Sequence, residues 1–288
     1  MAEQVKIIEC PRDAMQGIRT FIPTPDKISY LKSLLLVGFD TIDIGSFVSP
    51  KSIPQMADTA DVLNAITGFP TQSKLLVIVA NLRGAEEALS FSKVDYLGFP
   101  FSISENFQMR NTHKSIEESV VVLSQILKLT AQAGKKVVVY LSMGFGNPYG
   151  DTWSLEIVSE WIEKLTQMGI KIISLSDTVG VATPNSVTLL FKHLIALYPD
   201  IEFGAHFHTR PSEWYDKIEA AYTAGCRRFD GAIMGIGGCP MAMDHLTGNM
   251  PTEKLVSFFT KAKAEINVAP HRFERAYNAA LEIFKPYK

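Results

Sequence analysis

KVVVYLSM, residues 136–143, holds an unbroken apolar run of strand length. Its valines, tyrosine and leucine follow one another without an intervening polar position, and the run is too short for a buried helix. Such a segment reads as a strand covered on both faces, which belongs to a parallel sheet. Seven more runs share this character: VKIIEC (5–10), TIDIGSF (41–47), KLLVIVA (74–80), YLGFPF (96–101), IKIISLSD (170–177), EFGAHFH (202–208) and RFDGAIM (228–234). Helix-period stretches separate them. In TPDKISYLKSLLLVG (24–38) Pro25 stands at a first-turn position and Gly38 at a C-terminal stop. In SIEESVVVLSQILKLTAQAG (115–134) Ser115 and Glu118 have capping-box spacing, and Gly134 closes the helix.

Eight βα repeats in 288 residues fit a closed (β/α)8 barrel, a TIM barrel, and the segment after about residue 267 reads as an additional C-terminal helix packed on it. A doubly wound sheet is the alternative. It is weakened because CPRDAMQG, not a glycine-rich phosphate loop, follows the first strand. No linker or low-complexity stretch appears, so 1–288 is expected to form a single catalytic domain.

Composition narrows the partners. A formal charge of −2 and a pI near 6.3 supply no basic field, so neither nucleic acid nor an anionic membrane surface is expected as partner. The longest apolar runs are far shorter than a bilayer span. The start, MAEQVKIIEC, enters a strand-like segment at once, without the pattern of a secretory leader. Cys10, Cys226 and Cys239 are too few and too scattered for a disulfide framework. A cytoplasmic protein is expected. A homodimer is the oligomeric expectation, by fold analogy alone.

Barrel active sites lie at the C-terminal ends of the strands. Arg12 and Asp13 follow strand 1, Asp43 lies on strand 2, Asp177 ends strand 6, His206 and His208 end strand 7, and Cys239 and Asn249 follow strand 8. In a strand, side chains two apart share a face, so both imidazoles point the same way. An H-x-H pair also occurs simply as packed or hydrogen-bonded histidines. Several polar residues converging on one rim favour a metal.

PRDAMQG (11–17), SFVSPKSIPQMAD (46–58), NTHKSIEES (111–119), ISLSDTVGVATP (173–184), HFH (206–208), GIGGCP (235–240) and TGNMPTEKL (247–255) resemble, in order and spacing, the 3-hydroxy-3-methylglutaryl-CoA lyases. These belong to a wider barrel superfamily of metal-dependent lyases and Claisen-type synthases. The resemblance spans nearly the whole chain. It implies a divalent cation, Mg2+ or Mn2+, on Asp13, His206, His208 and Asn249, and an acyl-CoA substrate. It also implies retro-Claisen cleavage to acetyl-CoA and acetoacetate, in leucine degradation or ketone-body formation. His206 or Asp13 would serve as base, Arg12 would face the developing enolate oxygen, and Cys239 would protonate the enolate carbon. Asp177 would help hold the substrate hydroxyl region, and Arg110 and Asn111 would serve CoA. A related barrel aldolase, or an acyl-CoA lyase or synthase acting on another hydroxy acid, is the alternative.

Two single positions and one four-residue segment depart from the family pattern. Asp43 stands for a glutamate, which puts its contact with substrate in question. Ala14 stands for glycine. Thr209-Arg210-Pro211-Ser212 replaces Asp-Thr-Tyr-Gly after the histidine pair, which alters the surroundings of the metal.

Overall fold

The computed structural model describes residues 4–238 and 247–287, so Cys239 lies outside the described residues. Eight parallel strands form a closed barrel: β1 (Lys6–Glu9), β2 (Thr41–Ser46), β3 (Lys74–Ile78), β4 (Val94–Ser102), β5 (Lys136–Ser142), β6 (Ile172–Asp177), β7 (Glu202–Thr209) and β8 (Arg228–Gly231). Each pairs with its sequence neighbour, and β1 pairs with β8 to close the ring. A two-residue strand, β9 (Gly248–Asn249), runs antiparallel to β7. The helices up to the fifth strand are α1 (Pro11–Gln16), α2 (Thr24–Leu35), α3 (Thr59–Ile66), α4 (Leu82–Leu89), α5 (Glu105–Thr112) and α6 (Ile116–Gln132). Those that follow are α7 (Leu155–Gln167), α8 (Pro184–Leu197), α9 (Trp214–Thr223), α10 (Thr252–Lys261) and α11 (Pro270–Phe284).

The local signals act as read. Ser115 accepts from the Glu118 amide at 3.0 Å, and Glu118 accepts from the Ser115 amide at 2.8 Å, closing the capping box of α6. Gly38 and Gly134 take the positive φ angles, 98° and 66°, that an L side chain resists. The additional helix, α11, lies on α2, where Phe284 meets Tyr30 edge-on at 5.7 Å. Strand 8 is shorter than its apolar run. Past Gly231 the chain turns through Ile233–Gly235, with Met234 at φ 64°.

Alternation divides the strands between two interiors. Phe203, Ala205 and Phe207 of β7 face the helices, where Phe207 packs on Phe145 and Phe191. Inside the barrel a small apolar layer of Leu76, Ile78, Val138, Tyr140 and Ile172 forms the floor. Above it the lining turns polar.

Glu9, fully buried at the end of β1, accepts from the Ile233 amide at 3.0 Å and shares a hydrogen bond with Thr252 Oγ1 at 2.5 Å. Burial pushes its carboxyl from 4.5 up to about 8, against both hydrogen bonds. The folded state therefore holds this proton more tightly than the unfolded chain does. The resulting stabilisation is complete below about 4.5 and is lost as pH rises through about 8. Glu9→Gln, which keeps an acceptor for Ile233 and a donor for Thr252, is expected to remove that slope and to be the more stable protein above pH 8, by an amount on the order of a few kcal/mol. Urea unfolding of both proteins at pH 6 and pH 9 checks this; parallel pH profiles would contradict it.

Candidate active site at the barrel mouth

His206 and His208 sit on the inward face of β7, and each ring is oriented by one partner. His206 Nδ1 lies 3.0 Å from Asp230 Oδ2, on the inward face of β8. His208 Nδ1 lies 2.8 Å from the Thr178 carbonyl oxygen, just past β6. Both partners are acceptors, so each Nδ1 carries a hydrogen, and in the neutral ring the lone pair is left on Nε2. His208 Nε2 is buried and has no hydrogen-bond partner among the described residues. His206 Nε2 faces Asp13 Oδ2 at 3.6 Å. Ligand-type atoms of Asp13, His206 and His208 lie within 4.8 Å of one another.

β9 brings Asn249 beside this group. Pairing sets its Cα opposite that of His208, and its Nδ2 donates to the Ile236 carbonyl at 2.8 Å, fixing the amide. Gly237 makes room for it, because a Cβ there would stand 2.5 Å from the Asp13 carbonyl oxygen and 2.9 Å from Asn249 Nδ2.

Arg12 and Asp13 lie on the single helical turn of α1, which buries both. Arg12 donates to Asp43 Oδ2 from Nε at 2.9 Å and from Nη2 at 2.5 Å. Its Nη1 donates to Gln16 at 2.8 Å, while the contact to Asp13 is long, 3.4 Å. Gln16 Nε2 in turn donates to Asp13 Oδ1 at 2.5 Å. The main ion pair of Arg12 is thus with Asp43, whose other oxygen is buried without a partner among the described residues.

The charges are graded. Burial raises the Asp43 carboxyl to about 6, with Arg12 opposing. Asp13 is held below the usual carboxylate range although burial opposes it, because Arg12, both histidines and Asn249 favour its anion. Burial lowers the His208 imidazole, aided by His206. For His206 burial also acts downward, yet the hydrogen bond and charge of Asp230, with Asp13, carry it above its ordinary value. A carboxylate beside a neutral imidazole with a free lone pair is a set able to hold a cation.

A cavity of about 340 Å³ opens above these residues, with Arg12, Asp13, His206 and His208 in its wall, Tyr140 towards its floor and Ser49, Asn111 and Lys114 among its lining.

Two of the expected residues stand apart from this group. Asp177 ends β6, as read, but faces the helices: its Oδ2 accepts from Lys217 of α9 at 2.8 Å and its Oδ1 from the Val181 amide at 2.8 Å. Its inward neighbour Ser176 lines the cavity instead. Arg110 is exposed on α5 with its guanidinium 4.8 Å from the Tyr149 ring centre, and it is not part of the cavity lining, whereas Asn111 is. Asp230, Gln16 and Lys217 belong to none of the motifs as a candidate residue, and the fold brings them to these contacts. Asp230 carried a signal, a carboxylate two residues from Arg228 inside an otherwise apolar strand.

The HMGL-like family model matches residues 4–279. The chain is 32% identical over 277 residues to the cytoplasmic 3-hydroxy-3-methylglutaryl-CoA lyase of Rattus norvegicus, covering 96% of this chain and 80% of that one. It is 34% identical over 270 residues to a hydroxymethylglutaryl-CoA lyase of Bacillus subtilis, covering 94% and 88%. Among solved structures, an HMG-CoA lyase of Bacillus subtilis superposes with a TM-score of 0.91 at 32% identity, over 99% of this chain and 94% of that one. An HMG-CoA lyase of Acinetobacter baumannii in complex with coenzyme A and 3-methylmalate gives 0.89 at 28% identity, over 98% and 92%.

Proposed function

The chain belongs to the HMGL-like family, and from that premise we propose that it is a carbon-carbon lyase cleaving 3-hydroxy-3-methylglutaryl-CoA into acetyl-CoA and acetoacetate. The observation that carries the reading is the convergence of Asp13, His206 and His208 in the wall of one cavity, with Arg12 beside them. The whole chain is taken as the catalytic unit. No described helix is long and apolar enough to cross a membrane, and the free thiols of Cys10 and Cys226 suit a cytoplasmic site of action.

The residues fit a divalent cation. Asp13 would offer a carboxylate oxygen, His206 and His208 their Nε2 lone pairs, and Asn249 the carbonyl oxygen that its bond to Ile236 leaves free. Mixed oxygen and imidazole donors favour Mg2+ or Mn2+ over a thiolate-seeking metal. Cys10, His206 and Asp230 also approach one another, but there Asp230 is engaged as the hydrogen-bond partner of His206. When bound, the cation supplies Lewis acidity to the hydroxyl and carbonyl oxygens of the substrate.

Asp13, a carboxylate with lone pairs beyond the one given to the cation, takes the proton of the tertiary hydroxyl; His206, with its Nδ1–H on Asp230 and its Nε2 on the cation, has none to spare. The oxygen's electron pair forms the ketone of acetoacetate, the adjacent carbon-carbon bond breaks, and its electrons pass to the thioester as an enolate. Arg12 has five N–H donors, and Asp43, Gln16 and Asp13 do not use them all. A remaining one faces the enolate oxygen, and the guanidinium stays charged there. Asp43 acts as the brace of Arg12. Cys239 returns a proton to the enolate carbon. The acyl-CoA runs over the rim past Asn111 and Lys114.

The test is the stoichiometry of products and its dependence on Cys239. Purified protein with Mn2+ is expected to release equal amounts of acetyl-CoA and acetoacetate. Cys239→Ala should fold yet lose most of that activity, Cys239→Ser should remain poor because a hydroxyl is a much weaker acid than a thiol, and Cys10→Ala and Cys226→Ala should keep it. Absence of both products from the wild type, or near-normal turnover by Cys239→Ala, would overturn the reading.

A further inference from the structure

Lys217 of α9 is 2% exposed, and its ammonium reaches three acceptors: Asp177 Oδ2 at 2.8 Å, the Gly180 carbonyl at 3.2 Å and the His208 carbonyl at 3.2 Å. An ammonium has three hydrogens, so all three are used. A buried charge is retained at a cost in desolvation, and a well-packed apolar side chain would often serve stability as well. What distinguishes this one is which pieces of chain it joins. Asp177 and Gly180 bracket Thr178, whose carbonyl oxygen accepts from His208 Nδ1. His208 contributes its own backbone carbonyl to the same ammonium. Donor and acceptor of the bond that orients the His208 ring are thus held by one side chain, from outside the barrel. Thr178 is tied further by its Oγ1, which accepts from the Met143 amide at 2.9 Å.

We propose that Lys217 is a positioning residue for metal binding: through Asp177, Gly180 and the His208 carbonyl it fixes the Thr178–His208 hydrogen bond, and so the tautomer and aim of His208 Nε2. This rests on the reading of His208 as a ligand. It also gives the altered segment after the histidine pair a structural meaning. Thr209 Oγ1 donates locally to the Arg210 carbonyl, and support for His208 comes from α9 and the end of β6.

The test uses Lys217→Met and the charge-paired Lys217→Met/Asp177→Asn, the second because the first leaves a buried carboxylate without its partner. Mn2+ affinity is measured by the EPR signal of free Mn2+, alongside 15N spectra of histidine-labelled, metal-free protein and urea unfolding. Both variants that unfold cooperatively are expected to bind Mn2+ about 10- to 100-fold more weakly, the range typical of losing an outer partner of a metal ligand. His208 should shift from the single Nδ1–H form towards a mixture of tautomers. A purely structural lysine would lower the unfolding midpoint and leave both signals in place. A rise in the Mn2+ dissociation constant of less than threefold in the paired variant, or an unchanged His208 tautomer, overturns the proposal. Failure of the wild type itself to bind Mn2+ would overturn instead the reading of His208 as a ligand.

Discussion

His208→Ala is expected to leave a folded protein with no measurable metal-dependent turnover. The side chain is 2% exposed but stands in a cavity wall, so its removal enlarges a space that already exists and creates no new void in the apolar core. What disappears is a lone pair prepared by the rest of the structure: Thr178 fixes the tautomer, burial keeps the ring neutral, and no described residue uses Nε2. Removing a ligand should weaken Mn2+ binding by more than the roughly 10- to 100-fold that follows loss of an outer partner. Excess Mn2+ should restore little, since the substrate's oxygens would meet a displaced cation. Calorimetric Mn2+ titration together with the product assay checks both statements. Wild-type Mn2+ affinity in this variant would remove His208 from the site.

Arg12→Lys should cost about 100-fold or more in kcat even though the charge is kept. The guanidinium is a planar fork with Nε and Nη2 on one oxygen of Asp43 and Nη1 on Gln16, an arrangement that fixes the direction of its remaining hydrogen. A lysine ammonium cannot make these contacts at once, and loss of one preorganised oxyanion donor typically costs 100- to 1000-fold. The loss should fall on kcat, because the contact strengthens as charge develops on the enolate oxygen. Steady-state kinetics at saturating Mn2+ decide it; a kcat within about threefold of wild type would exclude Arg12 from the chemistry.

Where the sequence was legible, local physics was enough. KVVVYLSM and its companions are continuous because helices cover one face of each strand and the barrel interior the other, and the capping box at Ser115 is a contact within four residues. The pairing of His206 with His208 follows from a period of two. The same period sets the direction of Asp177: its place at a strand end suggests the rim, while Ser174 and Ser176 hold the inward positions of β6 and the next residue faces α9. Gln16 carries no local signal, because α1 is too short to leave a helical period, and its turn brings position 16 beside Arg12 and Asp13. The pairing of Asn249 with His208 depends on a two-residue strand, too short to leave a pattern. Lys217, on an amphipathic helix, gave no sign that its ammonium would be buried.

One divalent cation is expected among Asp13, His206, His208 and Asn249. Diffraction from crystals soaked in Mn2+, recorded near the manganese absorption edge, would locate it. A single anomalous peak about 2.0 to 2.4 Å from one carboxylate oxygen of Asp13, Nε2 of both histidines and the side-chain oxygen of Asn249 is the predicted result. No peak at saturating Mn2+, or a peak among Cys10, His206 and Asp230, would contradict it.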